Sequence, residues 1–204
     1  PVPVYEEDGF QYRPEMIRER LTENTRAILI NSPSNPTGNL LSAEIMKEIA
    51  DMGPLVVSDE IYHGLVYEGQ ERSILEFTEN AVVLNGFSKR YAMTGWRVGY
   101  CIVPPPMVRP LQKVQQNFFI SSGDFVQWAA AAALKDADDD VERMREIYNR
   151  RRKTMLSGIR DLGLGVTVEP TGAFYILANA RHLINDSLKF AMDMLDKAHV
   201  GVAP

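Results

Sequence analysis

The 204-residue chain is 45% hydrophobic and 24% charged, with a formal net charge of −5, an ordinary balance for a soluble globular protein. Its mild acidity argues against nucleic acid as a partner, no apolar run reaches the length of a membrane span, and no charged-then-apolar leader opens the chain. Cys101 is the single cysteine, which excludes an internal disulfide and points to a reducing cytoplasm.

Taken in chain order, the first expected strand covers 26 to 31, with Ala27-Ile28-Leu29-Ile30 as its apolar run. It leads into Asn31-Ser32-Pro33-Ser34-Asn35-Pro36-Thr37-Gly38, a loop punctuated by proline and glycine. Asn35 directly precedes Pro36, so its side chain is expected to be rigid and the bond between them is a candidate cis peptide. A helix capped by Ser42 should run to Met52, with Ile45, Met46 and Ile49 on its apolar face.

The second strand, 54 to 59, ends in Asp59, with Tyr62 three residues on. A carboxylate at a strand end can pair with a protonated pyridine nitrogen, and the phenol can hydrogen-bond a ring oxygen. Standing alone, Asp59 would equally suit a helix cap or a turn. The third strand, 81 to 85, ends at Asn85, which with Gly86 and Ser88 is expected to turn the chain sharply before Lys89. A lysine amine attacks a carbonyl only when deprotonated, a state favoured by burial or by neighbouring cations. Arg90 beside it and Arg97 eight residues on make the expected setting cationic. Taken alone, Lys89 has the ordinary fate of a solvated lysine. Ligands of open α/β sheets, however, sit outside the carboxyl ends of the strands, so Lys89 is expected to face a cleft.

A fourth strand is expected at 97 to 103, ended by Pro104-Pro105-Pro106 ahead of a helix. Asp124 is expected to cap an alanine-rich helix, Phe125 to Leu134. Asp136 to Asp140 lacks the spacing of a calcium loop and reads as the head of a helix continuing from Val141 to Leu162. Met144, Ile147, Tyr148, Met155, Leu156 and Ile159 supply that helix with an apolar face. Arg150, Arg151 and Arg152 read as its solvated face rather than an anion site. His63, His182 and His199 are too scattered for a metal site, and no repeat appears. Strands alternating with helices imply an α/β fold with a mostly parallel sheet flanked by helices.

The three strand ends together supply Asn35, then Asp59 with Tyr62, then Lys89 with Arg97, the groups needed to hold and use pyridoxal 5'-phosphate. On these segments, and on Gly172-Ala173-Phe174-Tyr175 and Lys197 to Pro204, the chain resembles the class I/II aminotransferases. These are the aspartate aminotransferase family, fold type I of the pyridoxal phosphate enzymes. The resemblance implies that Lys89 forms the internal aldimine and moves the α-proton, and that Asp59 pairs with the pyridinium nitrogen. It implies further that Tyr62 and Asn35 bind the ring oxygen and Arg97 the phosphate, with Ser88 where members often place another phosphate contact. Residues 1-148 would be part of a large cofactor domain and 149-204 part of a small α+β domain. Val166-Thr167-Val168, Phe174 to Leu177 and an amphipathic Ser187 to Ala198 would belong to the latter.

The implied reaction moves an amino group between an L-amino acid and a 2-oxo acid by a ping-pong mechanism, in an enzyme whose full-length parent is a homodimer. In that family a phosphate-binding loop comes earlier than the Asn35 segment and a carboxylate-binding arginine later than Gly201-Val202-Ala203-Pro204. The chain is therefore expected to be an aminotransferase cut at both ends, with a sheet edge that needs covering. A carbon-sulfur β-lyase of the same fold and a non-catalytic pyridoxal phosphate sensor are the alternatives. A nucleotide-binding α/β protein is disfavoured because no Gly-x-Gly-x-x-Gly loop follows a strand. Phe174 and Tyr175 either line the substrate side or, as aromatic pairs more often do, pack in the core.

Overall fold

Three apolar, β-branched runs form the parallel part of one sheet in a computed structural model that describes all residues, Pro1–Pro204. Strands β1 (Ala27–Asn31), β2 (Leu55–Asp59) and β3 (Ala81–Gly86) lie side by side in parallel, and β4 (Gly99–Ile102) adds to β3 antiparallel. In register, Ile28 faces Val56 and Ile30 faces Ser58, while Val56 faces Ala81 and Ser58 faces Val83. Alternation then divides the sheet into two faces. Ile28, Ile30, Val56, Ala81 and Val83 turn to one side, where they join Ile17, Leu41, Met46, Ile49 and Ile74 in the main core. The other face carries Leu29 at 70% exposure, with half-buried Val57 and exposed Leu84.

Helix α1 (Pro14–Arg20) supplies Ile17 to this core and α2 (Ala43–Ala50) supplies Met46 and Ile49. The Ser42 hydroxyl accepts the Ile45 N–H and starts α2 as expected. α3 (Pro105–Phe118) opens on prolines, which suit the first helical turn, and carries a further proline, Pro110, inside. α4 (Asp124–Asp136) packs Ala130 against Phe87 and Met93. Its cap position is Gly123, so Asp124 is the first helical residue and contributes charge to the helix N-terminus rather than a cap. After Ala137 the 24-residue α5 (Asp138–Asp161) begins with Asp138, Asp139 and Asp140, while Asp136, expected at the same helix head, is instead the last residue of α4; α6 (Ser187–Ala198) is capped by the Asp186 side chain.

No strand forms at 166 to 168 or 174 to 177, two segments expected to belong to the small α+β domain. Near these segments pairing is limited to the single bridges Val66 with Gly172 and Gly165 with Asn179. Thr167 spends its hydroxyl on the Glu6 side chain, and Ala173 at φ 56 leaves extended geometry just before Phe174. Because β1, β2 and β3 are parallel and β4 enters from the opposite direction, Asn31, Asp59, Gly86 and Gly99 all meet at one edge of the sheet.

Candidate active site at the carboxyl edge of the sheet

The loop after β1 is held to the end of β2 by its own amides. Asn31 donates from Nδ2 to the Asp59 carbonyl at 3.0 Å, and its Oδ1 accepts the Asn35 N–H at 2.7 Å. Ser32 donates its N–H to the same Asp59 carbonyl at 3.2 Å. The Asn35–Pro36 bond is cis, as is Ser32–Pro33. Asn35 itself remains exposed at the lip of the edge.

At the end of β2 the Asp59 Oδ1 accepts the Ile61 N–H at 3.2 Å, which turns the chain. Glu60 continues the inward alternation of Val56 and Ser58 and is 2% exposed. Its Oε1 accepts from Ser58 Oγ at 2.9 Å, Ser73 Oγ at 3.1 Å and the Ile74 N–H at 3.0 Å. This buried carboxylate pins the turn that displays its two neighbours, Asp59 and, two residues on, Tyr62. Tyr62 is buried, its hydroxyl 2.9 Å from that of Tyr175. Burial, reinforced by the Tyr175 hydroxyl, holds the Tyr62 phenol well above the ordinary tyrosine range, and a hydrogen bond from the Asn35 side chain pulls the other way.

After β3 the backbone passes so close to β4 that a Cβ on Gly86 would lie 2.9 Å from the Gly99 Cα. The following turn projects Lys89, whose Nζ is 5.6 Å from the Phe174 ring centroid and 5.9 Å from that of Tyr62, within cation–π range of both. Arg90 does not share this setting. Successive side chains of a turn diverge, and Arg90 reaches 3.4 Å to Asp138 on α5 and lies over the Tyr91 ring. Arg90 therefore does not contribute to the expected cationic surroundings of Lys89, and two aromatic rings lie near the amine. With Arg90 committed to Asp138 and His63 next to Glu60, neither Lys89 nor Asp59 enters an ion pair.

Asn35, Asp59, Tyr62 and Lys89 are thus brought to one edge. Ser88 and Arg97 stand on the same edge and are joined to each other through Thr94. Thr94 Oγ1 donates to the Ser88 carbonyl at 2.8 Å, and Arg97 Nη1 donates to the Thr94 carbonyl at 2.9 Å. No bond ties Arg97 to Lys89, and the guanidinium is exposed.

Phe174 and Tyr175 sit over Tyr62 edge-on, at 5.5 and 5.7 Å between centroids. Tyr148 of α5 stacks on Phe174 at 5.5 Å. In the sequence Tyr148 falls on a helical apolar face, a position that does not distinguish core from site. Glu60 was missed although its place in the strand alternation marks it as inward-facing. Arg152, expected on a solvated face, is instead 7% exposed and bound on three sides.

The sequence model of the family described as aminotransferase class I and II matches residues 1–204. Among curated relatives, a (5-formylfuran-3-yl)methyl phosphate transaminase of Methanocaldococcus jannaschii is 41% identical over 93% of this chain and 51% of its own length. An aspartate aminotransferase of Pyrococcus abyssi is 38% identical over 100% of this chain and 54% of its own. Among solved structures, the aspartate aminotransferase of Thermus thermophilus with maleate superposes with a TM-score of 0.94 at 36% identity, covering 100% of this chain and 55% of that one. The aromatic aminotransferase of Pyrococcus horikoshii gives 0.93 at 40% identity, covering 100% and 57%. The chain spans about half the length of the curated relatives it matches.

Proposed function

The chain belongs to the class I and II aminotransferases, and from that membership we propose that it carries the lysine-bearing half of a pyridoxal phosphate-dependent enzyme moving an amino group between an L-amino acid and a 2-oxo acid. The observation that carries this reading is the convergence of Asn35, Asp59, Tyr62 and Lys89 at the carboxyl edge of one sheet, with the Lys89 amine against two aromatic rings.

The donor set fits the cofactor. An amine outside any ion pair suits an aldehyde, a carboxylate without a cation suits a pyridinium nitrogen, and a phenol with a neighbouring amide suits a ring oxygen. When bound, pyridoxal phosphate supplies an aldehyde that condenses with amines and a pyridine ring that accepts the electron pair left by a departing α-proton.

Lys89 Nζ would hold the cofactor aldehyde and, once free, would take the proton from the substrate α-carbon and return it during the transfer. Asp59 would hold the proton on the ring nitrogen. Tyr62, neutral because it is buried, and Asn35 would donate to the ring oxygen, while Arg97 and Ser88 would hold the phosphate. The Phe174 and Tyr62 faces keep water from the amine.

Amino acid and oxo acid bind in turn, so kinetics are ping-pong. We place the division between the cofactor domain and a smaller domain near residue 148, in the first half of α5, and expect the complete enzyme to work as a homodimer in the cytoplasm. No helix is long and apolar enough to cross a membrane.

Incubation with pyridoxal phosphate, borohydride reduction and peptide mass mapping tests the assignment. A pyridoxyl group on Lys89, lost in Lys89→Ala, is the expected result. Labelling spread over surface lysines with Lys89 spared would overturn it.

A further inference from the structure

Arg152 lies in the middle of α5 between exposed neighbours, yet it is buried. Burying a guanidinium is unfavourable unless its donors are satisfied, and all three of its nitrogens are. Nη1 donates to the Pro170 carbonyl at 2.6 Å, Nε donates to Asn149 Oδ1 at 3.1 Å, and Nη2 pairs with the Glu68 carboxylate. The guanidinium also lies 5.2 Å from the centroid of the Tyr67 ring. Apart from Asn149 on its own helix, these partners belong to two segments that are already joined. The Tyr67 N–H donates to the Thr171 carbonyl at 2.7 Å, the Ala173 N–H to the Leu65 carbonyl at 2.9 Å, and the Tyr67 hydroxyl to the Ala173 carbonyl.

The joined stretch ends at Ala173, fully buried at φ 56. A left-handed backbone at a residue other than glycine persists only when its surroundings over-determine it. This reversal sends Phe174 over the Lys89 amine and brings the Tyr175 hydroxyl to that of Tyr62.

We infer that Arg152 is a positioning residue for the reacting amine: by locking the 170–173 segment against α5 and the 65–68 segment, it sets Phe174 and Tyr175 over Lys89 and Tyr62. The inference rests on the reading of Lys89 as that amine. Its chemistry is indirect. Arg152 touches neither Lys89 nor Tyr62, but it determines how closely an aromatic face covers the one and which hydroxyl orients the other. Lysine cannot replace it fully, because an ammonium holds the Pro170 carbonyl without the fork that also reaches Glu68 and Asn149.

The test compares the 204-residue chain with its Arg152→Lys, Arg152→Gln and Glu68→Gln variants. Hydrogen exchange is followed by mass spectrometry, Tyr62 titration by NMR of isotope-labelled tyrosine, and the rate of borohydride-trapped pyridoxal phosphate labelling at Lys89 by peptide mapping. In Arg152→Gln the amides of 170–176 should exchange about tenfold faster, the scale of losing a charge-assisted hydrogen bond to a buried carbonyl, while those of β1 are unchanged. Tyr62 should titrate closer to an ordinary tyrosine, Lys89 labelling should slow severalfold, and Arg152→Lys should recover part of each. Exchange and Tyr62 titration indistinguishable from the parent would overturn the inference. If Arg152→Gln does not fold, Glu68→Gln decides by the same two readouts, since it removes only the ion pair. Absence of Lys89 label in the parent chain would remove the catalytic reading instead, and the two cofactor-free readouts would still decide whether Arg152 sets Tyr175 on Tyr62.

Discussion

The Tyr67 phenol is pushed up to about 12, first by burial and then by Tyr148, against the opposing pull of Arg152 and Arg145. The folded state therefore keeps this proton to higher pH than the unfolded chain, whose tyrosines ionise near about 10. That contribution to stability is complete below about 10 and lost as pH rises through the folded value. Thermal melts across this alkaline window should show a falling midpoint, and Tyr67→Phe should flatten the fall while costing about 1 kcal/mol at neutral pH through its lost bond to the Ala173 carbonyl. Gly38 offers a steric counterpart. It sits at φ 70, and a Cβ there would overlap the Pro170 side chain and stand 2.9 Å from the Gly172 carbonyl oxygen. Gly38→Ala should destabilise the protein by roughly 2–4 kcal/mol in urea titration. Asn35, Asp59, Tyr62 and Lys89 were legible because reactive residue types followed apolar runs. Arg152 was not, because its burying partners lie 18 and 84 residues away and leave no local trace.

At the scale of elements, β1, β2 and α2 were readable because each expresses its period locally, inward positions alternating in the two strands and Met46 and Ile49 sharing one helical stripe, while β3 was readable as a short continuous apolar run. The α2 start depends on one hydroxyl, so Ser42→Ala should lower stability by about 1 kcal/mol in chemical denaturation without changing the denaturant slope. Helix α1 has only seven residues, too few for a periodic signal, and its local marks are Pro14 and Glu15 in the first turn and Arg18 and Arg20 in the last. The segments 166 to 168 and 174 to 177 form no strand, for a different reason. Their composition is strand-like, but a strand also requires a continuous partner. Here Glu6 occupies Thr167, and the turn at Ala173 diverts Phe174 and Tyr175 into the site.

Across the whole molecule, remote parts of the chain are clasped by single side chains. Glu6 accepts from Asn179 at 2.8 and 3.0 Å and from the Thr167 hydroxyl. The Thr167 bond first, then Asn179, holds its carboxyl below the usual carboxylate value. With a lowered folded value, the clasp contributes above the ordinary carboxylate range and is lost as pH falls through the Glu6 value. Glu6→Gln should therefore lessen the acid dependence of the melting midpoint, and an unchanged acid limb would exclude the clasp as its source. The mostly parallel sheet was readable at this scale from alternating strands and helices, whereas the clasps were not, since they join residues more than 160 positions apart.

The Gly38 carbonyl accepts the N–H groups of Thr171 and Gly172, and its partner Thr171 lies 133 residues further along the chain. A ribosome adding about 5–20 residues per second needs roughly 7–27 seconds to cover that distance. Once Lys89 has been added, the strand ends bearing Asn35, Asp59 and Lys89 can all exist on the nascent chain until Phe174 follows 85 residues later. The edge is consequently open during synthesis and closes only late, so a small molecule arriving early meets Lys89 without having to displace Phe174.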